Sequence, residues 1–194
     1  MESSAEQEYR VVVYCASADG NDPAYREEAT RLGQALAREG MGLIYGGATA
    51  GLMGAVADGA LSEGGSVVGF LPRVLVSREI AHRGLTRLEY NETMHERKAA
   101  MLELADAIIA LSGGFGTLDE LMEALTWAQL GIHSKPCVLI NTLGYYDGLL
   151  RFLETAVAVG FLKRENYKRL QVAENTSEAL ALLRLHRESL MGSK

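Results

Sequence analysis

The feature that most constrains this chain is a regular alternation of short apolar runs with longer helical patterns, joined repeatedly through glycine. Arg10-Val11-Val12-Val13-Tyr14-Cys15 is a β-branched run, and a polar turn leads from it into a helical pattern over Pro23 to Arg38 with proline at its first position. Gly42-Leu43-Ile44-Tyr45 passes through Gly46-Gly47 into a helix from about Leu52 to Ser62, and Ser66 to Leu71 reads as a third strand. A less regular passage precedes a short strand at Leu85 to Tyr90 and a helix over Met94 to Ala105. Ala107 to Leu111, a helix after Thr117, Cys137 to Asn141 and a helix from about Tyr146 to Val159 continue the series. Leu170 to Val172 is placed at a sheet edge, and Asn175-Thr176-Ser177-Glu178 has the spacing of a capping box that opens the last helix. Such alternation, with strands apolar throughout, predicts an α/β sandwich around a largely parallel sheet. Residues 1–194 are read as one domain, with the polar start at 1–8 read as flexible.

Composition narrows the function classes. A net charge of −6, with no extended run of Lys or Arg, argues against a nucleic-acid partner. No window approaches the ~18 uninterrupted apolar residues of a membrane span, and the start lacks the apolar stretch of a signal peptide. A soluble, cytoplasmic protein is expected. Cys15 and Cys137 lie in apolar runs without zinc-type spacing and read as buried free thiols. His82, His95 and His133 form no compact ligand pattern, so neither a metal nor a cofactor is predicted.

In a parallel α/β fold, ligands bind beyond the carboxyl ends of the strands. Three turns there stand out: the one after Cys15, Gly46-Gly47-Ala48-Thr49-Ala50-Gly51, and Ser112-Gly113-Gly114-Phe115-Gly116-Thr117-Leu118-Asp119-Glu120. The last runs from an apolar strand into a helix, where bare glycine backbone and unpaired amides favour an oxyanion, phosphate first of all. It is not GxGxxG, because Asp119 occupies the third glycine position; Gly46 and Gly51 have Walker-A spacing but are followed by Leu52-Met53 rather than Lys-Ser/Thr. Dinucleotide binding and NTP hydrolysis lose support. Thr117 and Glu120 also match a capping box, so Glu120 has a purely structural reading beside a catalytic one.

Arg97 and Lys98 fall on the apolar face of a helix defined by Met94, Met101 and Leu104 or Ala105. They read either as a structural salt bridge or as a site for phosphate or a leaving group. Leu118, Leu121, Met122 and Leu125 form one face of the next helix, which Ala124, Trp127 and Ala128 extend around the axis; a subunit interface and burial within the chain both explain this. Glu79-Ile80-Ala81-His82 reads first as a solvated loop. Ser17 lacks a nucleophile elbow, and Lys98 and Lys135 sit in no evident pyridoxal-phosphate motif, so lysine decarboxylation is not indicated.

Together these segments strongly resemble the Lonely guy (LOG) family of cytokinin-activating phosphoribohydrolases, from about Val11 to Leu182. Tyr45 to Gly54 is similar to the family's YGGGxxGLMG, Met94 to Ala99 to its MHERKA, and Ser112 to Glu120 to its PGGxGTxxE; Thr126 to Gly131 and Gly144 to Asp147 add further family-like segments. Ser112 stands where the motif has proline, Ala48 where it has glycine, and Ala16 where Cys-Gly-Ser is common. The resemblance implies a Rossmann-like fold that hydrolyses the N-glycosidic bond of N6-substituted adenosine 5′-monophosphates, and of AMP, to free base and ribose 5-phosphate. Arg97 and Glu120 are the expected catalytic residues: Glu120 can stabilise an oxocarbenium-like ribose or activate water and Arg97 can stabilise the departing base, with the division of these tasks left open by the sequence. Glu79, Arg97, Lys98, Gly113, Gly114, Phe115, Gly116, Thr117, Leu118, Asp119, Glu120 and Thr126 are the implied substrate contacts. A homodimer or larger assembly is implied as well. A general AMP nucleosidase and a non-catalytic nucleotide carrier of the same fold are the alternatives.

Overall fold

The computed structural model describes residues 8–73 and 81–191. The segment containing Glu79 and most of the polar start lie outside the described residues. Seven strands form one parallel sheet: β1 (Arg10–Tyr14), β2 (Gly42–Tyr45), β3 (Val67–Pro72), β4 (Arg87–Asn91), β5 (Ala107–Ala110), β6 (Cys137–Ile140) and β7 (Leu170–Ala173). Their spatial order is β4-β3-β2-β1-β5-β6-β7, which puts β7 at an edge as its short apolar run predicts. The helices are α1 (Pro23–Arg38), α2 (Gly51–Ser62), α3 (Met94–Leu104), α4 (Phe115–Gln129), α5 (Asp147–Ala158), the short α6 (Arg164–Tyr167) and α7 (Thr176–Met191).

Strand side chains alternate between two covered faces, and this makes the fold a three-layer sandwich. Val11, Val13, Leu43 and Tyr45 pack with Leu32 and Leu36 of α1, with α2, and with Ala179 and Leu183 of α7. Val12, Tyr14, Ile44, Phe70 and Ile108 pack the opposite way, against Met101 and Leu102 of α3 and Ala124 of α4. The α1–α2 crossing is close because a Cβ on Gly33 would stand 2.0 Å from the carbonyl oxygen of Val56, and one on Gly59 would stand 2.3 Å from that of Thr30. Two backbones touch there without intervening side chains.

The topology opens a crevice. The chain leaves β1 for one edge of the sheet and returns at β5, so β1 lies between β2 and β5. The helix after β1 covers one face and the helix after β5 covers the other, so the two connections diverge at the carboxyl ends of adjacent strands.

Helix ends follow the polar residues where side chains cap them. Asn175 accepts from the Glu178 amide at 3.1 Å, as the spacing predicts, while the Glu178 carboxylate accepts from the Glu174 amide at 2.9 Å. The helix after β5 departs from expectation. It starts at Phe115 rather than after Thr117, and Gly114 occupies its N-cap position without a side-chain hydrogen bond. Thr117 is already inside the helix, and Glu120 lies too far along it to cap it. The Thr117 side chain instead packs under the loop, where a Cβ on Gly113 would stand 2.0 Å from Thr117 Oγ1.

Candidate active site

The connections after β1, β2 and β5 are tied together above the crevice. The Ala16 amide donates to the Ser112 carbonyl at 3.1 Å, and the Met53 amide donates to the Ala16 carbonyl at 3.2 Å. Gly51 makes the second contact possible: its φ of +57° suits glycine, and a Cβ there would stand 2.3 Å from the Ala18 nitrogen. The resulting cavity of about 430 Å³ is bounded by Cys15 to Ala18, Met53, Met94, Arg97 and the start of α4.

Arg97 enters this cavity from α3, which is positioned by a cap absent from the motif reading. Thr93 accepts from the Glu96 amide at 3.1 Å, and the Glu96 carboxylate accepts from the Glu92 amide at 3.0 Å. The spacing Thr93-Met94-His95-Glu96 carries that signal in the sequence. Arg97 Nε donates to the Phe70 carbonyl at 2.9 Å, and Nη1 donates to Glu120 Oε1 at 2.8 Å. A Cβ on Gly46 would stand 2.6 Å from Arg97 Nη2, so the glycine turn after β2 leaves room for the guanidinium. A rigid, planar cation held on two sides has little freedom to leave its carboxylate.

Glu120 is the buried partner, with 10 % of its side chain exposed against 8 % for Arg97. Burial pushes its carboxyl above the ordinary carboxylate range, and Arg97 limits the rise. Burial also raises the neighbouring Tyr14 hydroxyl and Cys15 thiol, with the Glu120 charge adding to both shifts. Cys15 is a buried free thiol, as is Cys137, which burial pushes up to about 12.

The amino end of α4 lines the same cavity. With glycine at the N-cap, the amides of Phe115, Gly116 and Thr117 receive no side-chain cap and carry the positive end of the helix dipole. Two tyrosines brace this turn from behind. Tyr145 Oη donates to the Gly113 carbonyl and Tyr146 Oη to that of Leu111, each at 2.8 Å. The sequence marks these rings only as a family-like Gly-Tyr-Tyr-Asp segment; their approach to the loop depends on the strand order. A 3-10 turn at Thr142–Gly144, with Leu143 at φ +54°, delivers them.

The remaining implied contacts separate. Gly114, Phe115, Gly116, Thr117 and Asp119 line the same cavity as Arg97 and Glu120, and Phe115 is 91 % exposed at its rim. Gly113 lies behind the turn, and Leu118 packs toward Leu149 and Leu153 of α5. Lys98 is buried beside Arg97 yet turns away from the cavity, its Nζ 2.9 Å from Asp119 and 3.0 Å from Glu123. Burial alone pulls its pKa down, but the two carboxylates outweigh that and hold it above the ordinary lysine value. Thr126 lies on the outer side of α4, its hydroxyl donating to the Met122 carbonyl at 2.7 Å. Lys135 donates to the Leu102 carbonyl. Among the described residues, no lysine lines the Arg97–Glu120 cavity, and no cluster of three potential metal ligands occurs.

Of the apolar surface of α4, Leu121, Ala124 and Ala128 are buried within the chain, whereas Leu118, Met122, Leu125 and Trp127 are half-buried. Leu118, Met122 and Leu125 pack at the edge of the cluster formed by Ala110, Leu121, Leu139, Tyr146 and Leu170, and Trp127 packs at the edge of the cluster that includes Met101 and Leu102 of α3. No described helix is long and apolar enough to cross a membrane.

Comparison with known proteins places these features in a family. Residues 53–183 match the family described as "Possible lysine decarboxylase". The chain is 45% identical over 175 residues to the cytokinin riboside 5′-monophosphate phosphoribohydrolase of Rhodococcoides fascians, covering 90% of this chain and 88% of that one. It is 44% identical over 173 residues to the cytokinin riboside 5′-monophosphate phosphoribohydrolase LOG of Oryza sativa subsp. japonica, covering 89% and 71%. The chain belongs to the LOG family. The LOG framework is also visible in solved structures: the Moco carrier protein of Chlamydomonas reinhardtii superposes with a TM-score of 0.71 at 21% identity, over 92% of this chain and 97% of that one. The molybdenum cofactor binding protein of Rippkaea orientalis gives 0.69 at 23% identity, over 93% and 98%. These two likenesses concern the fold alone.

Proposed function

We propose that this LOG-family protein hydrolyses the N-glycosidic bond of cytokinin riboside 5′-monophosphates such as isopentenyladenosine monophosphate, and of AMP, releasing free base and ribose 5-phosphate. The observation that carries the reading is a single cavity lined both by the uncapped amino end of α4 and by the Arg97–Glu120 pair. The amides of Phe115, Gly116 and Thr117 hold the 5′-phosphate and fix the sugar beside Glu120. The bond from C1′ to the base nitrogen breaks with its electron pair leaving on the base, and C1′ gains oxocarbenium character. Glu120 stabilises that charge and takes a proton from the water whose oxygen adds to C1′. The base departs as an anion, which Arg97 stabilises while it also orients Glu120, and it then takes up the proton that Glu120 received from the water, so Glu120 returns to its ionised form.

Lys98 contributes by positioning, since it holds Asp119 and Glu123 of α4 while Asp119 lines the cavity. Glu79 is proposed as a substrate contact on the family resemblance. Thr126 lies six residues beyond Glu120, about 9 Å along the helix axis. It reaches substrate only across a homodimer interface, which a solution mass measurement tests. A cytoplasmic setting fits the two free thiols. The direct experiment incubates the purified protein with AMP and with isopentenyladenosine monophosphate and measures base and ribose 5-phosphate. Equal release of both products supports hydrolysis; nucleotide binding without base release overturns it in favour of a carrier.

A further inference from the structure

A second cavity of about 260 Å³ adjoins the first and shares Ala16, Ala18 and Gly114 with it. Its chemistry differs. The first has Arg97 and the amino end of α4; the second is lined by the rings of Tyr25 and Tyr145, by Leu52, and by the polar side chains of Asp19, Asn21 and Ser112. Among the described residues, no cation lines it, and its one charged group is the Asp19 carboxylate, 2.6 Å from Arg26. An anion is therefore disfavoured on this side of Gly114, whereas a neutral ring with polar edges is matched by aromatic and hydrogen-bonding walls. Tyr25 and Tyr145 meet edge to face with centroids 5.8 Å apart.

Ser112 supplies the independent observation. It is 6 % exposed, and its Oγ is buried without a hydrogen-bond partner. An unsatisfied buried hydroxyl costs free energy unless a ligand or water completes it, and rotation about one bond redirects it.

We propose that the second cavity is a subsite for the free purine base, occupied while ribose 5-phosphate remains in the first. The proposal rests on the hydrolytic reading above: cleavage turns one anionic nucleotide into an anionic sugar phosphate and a neutral heterocycle, and the two cavities sort these products by charge. Ser112 Oγ and Asn21 hydrogen-bond the base edge, and Tyr25 and Tyr145 contact the ring.

The test titrates adenine into protein saturated with ribose 5-phosphate and follows adenine inhibition of AMP hydrolysis. The wild-type protein binds adenine in that ternary complex, and inhibition is noncompetitive with AMP. Ser112→Ala and Ser112→Pro weaken adenine binding about five- to tenfold, and Tyr25→Leu weakens it about tenfold or more. The denaturation midpoint of Ser112→Ala stays close to that of wild type, which shows that this variant folds. Purely competitive inhibition, absence of adenine binding beside ribose 5-phosphate, or affinity unchanged in Ser112→Ala overturns the proposal. Weakened affinity for isopentenyladenosine monophosphate with adenine binding intact also overturns it, by assigning the cavity to the N6 substituent. Adenine titration needs no turnover. A protein that binds AMP without cleaving it would refute the hydrolase reading and leave the subsite measurement valid.

Discussion

Arg97 and Lys98 are consecutive in sequence and almost equally buried, at 7 % and 6 % exposure, yet their side chains meet different surroundings. Arg97 is paired to a carboxylate that is itself buried and lines the main cavity. Lys98 is paired to Asp119 and Glu123, whose side chains keep 60 % and 26 % of their exposure, and it stays outside that cavity. The difference teaches that burial of a cation on an apolar helix face does not identify its role; the burial of its partner does. A carboxylate that remains in water gives up little solvation when paired, whereas one taken into a cavity wall depends on its arginine and interacts strongly with any charge developing nearby.

The sharpest break in this comparison is removal of the buried carboxylate. Glu120→Ala lowers kcat for isopentenyladenosine monophosphate by about a thousandfold or more while nucleotide binding persists, as read by single-turnover assay beside equilibrium titration. Glu120→Gln gives a similar loss, because the amide keeps the shape without the charge. Arg97→Ala follows at about a hundredfold or more in kcat, and strands Glu120 as an unpaired buried charge, visible as a lowered denaturation midpoint. Lys98→Met reverses the pattern: stability falls by about 1–2 kcal/mol in chemical denaturation, while kcat of the folded fraction changes less than about tenfold. A thousandfold loss of kcat in Lys98→Met would erase the distinction.

Two smaller effects sharpen it. Tyr145→Phe frees the Gly113 carbonyl from its 2.8 Å hydrogen bond and raises KM for AMP about three- to tenfold with kcat nearly unchanged, since the phosphate turn loosens while the Arg97–Glu120 pair is untouched. The pH profile reports on Glu120 itself. Burial raises its carboxyl, and the ionised form is the active one, so kcat/KM falls as pH drops through that raised pKa. The acid limb therefore lies above the ordinary carboxylate range. A limb within that range would mean that Arg97 outweighs burial.

Much of the site was legible because it rests on local patterns. The glycine turn between an apolar strand and an apolar helix marks an anion site by backbone geometry alone, and Met94 to Met101 shows two cations where an apolar face is due. The start of α4 differs from what the capping-box spacing of Thr117-Leu118-Asp119-Glu120 predicts. Spacing is satisfied equally by a helix that begins earlier with bare glycine, and the fold selects that start, with Thr117 packed beneath Gly113. Freed from capping, Glu120 turns to Arg97.

By itself, the sequence determined the alternation of strands and helices, the covering of both sheet faces and the glycine turn between β5 and α4, because side-chain periodicity and glycine backbone are properties of neighbours along the chain. Only the tertiary structure decided which carboxylate each cation meets, that Tyr145 and Tyr146 hold the turn before α4, and that a second cavity opens beside Ser112. Those contacts join residues about twenty to thirty-five positions apart, and their partners are selected by the order in which strands lie side by side.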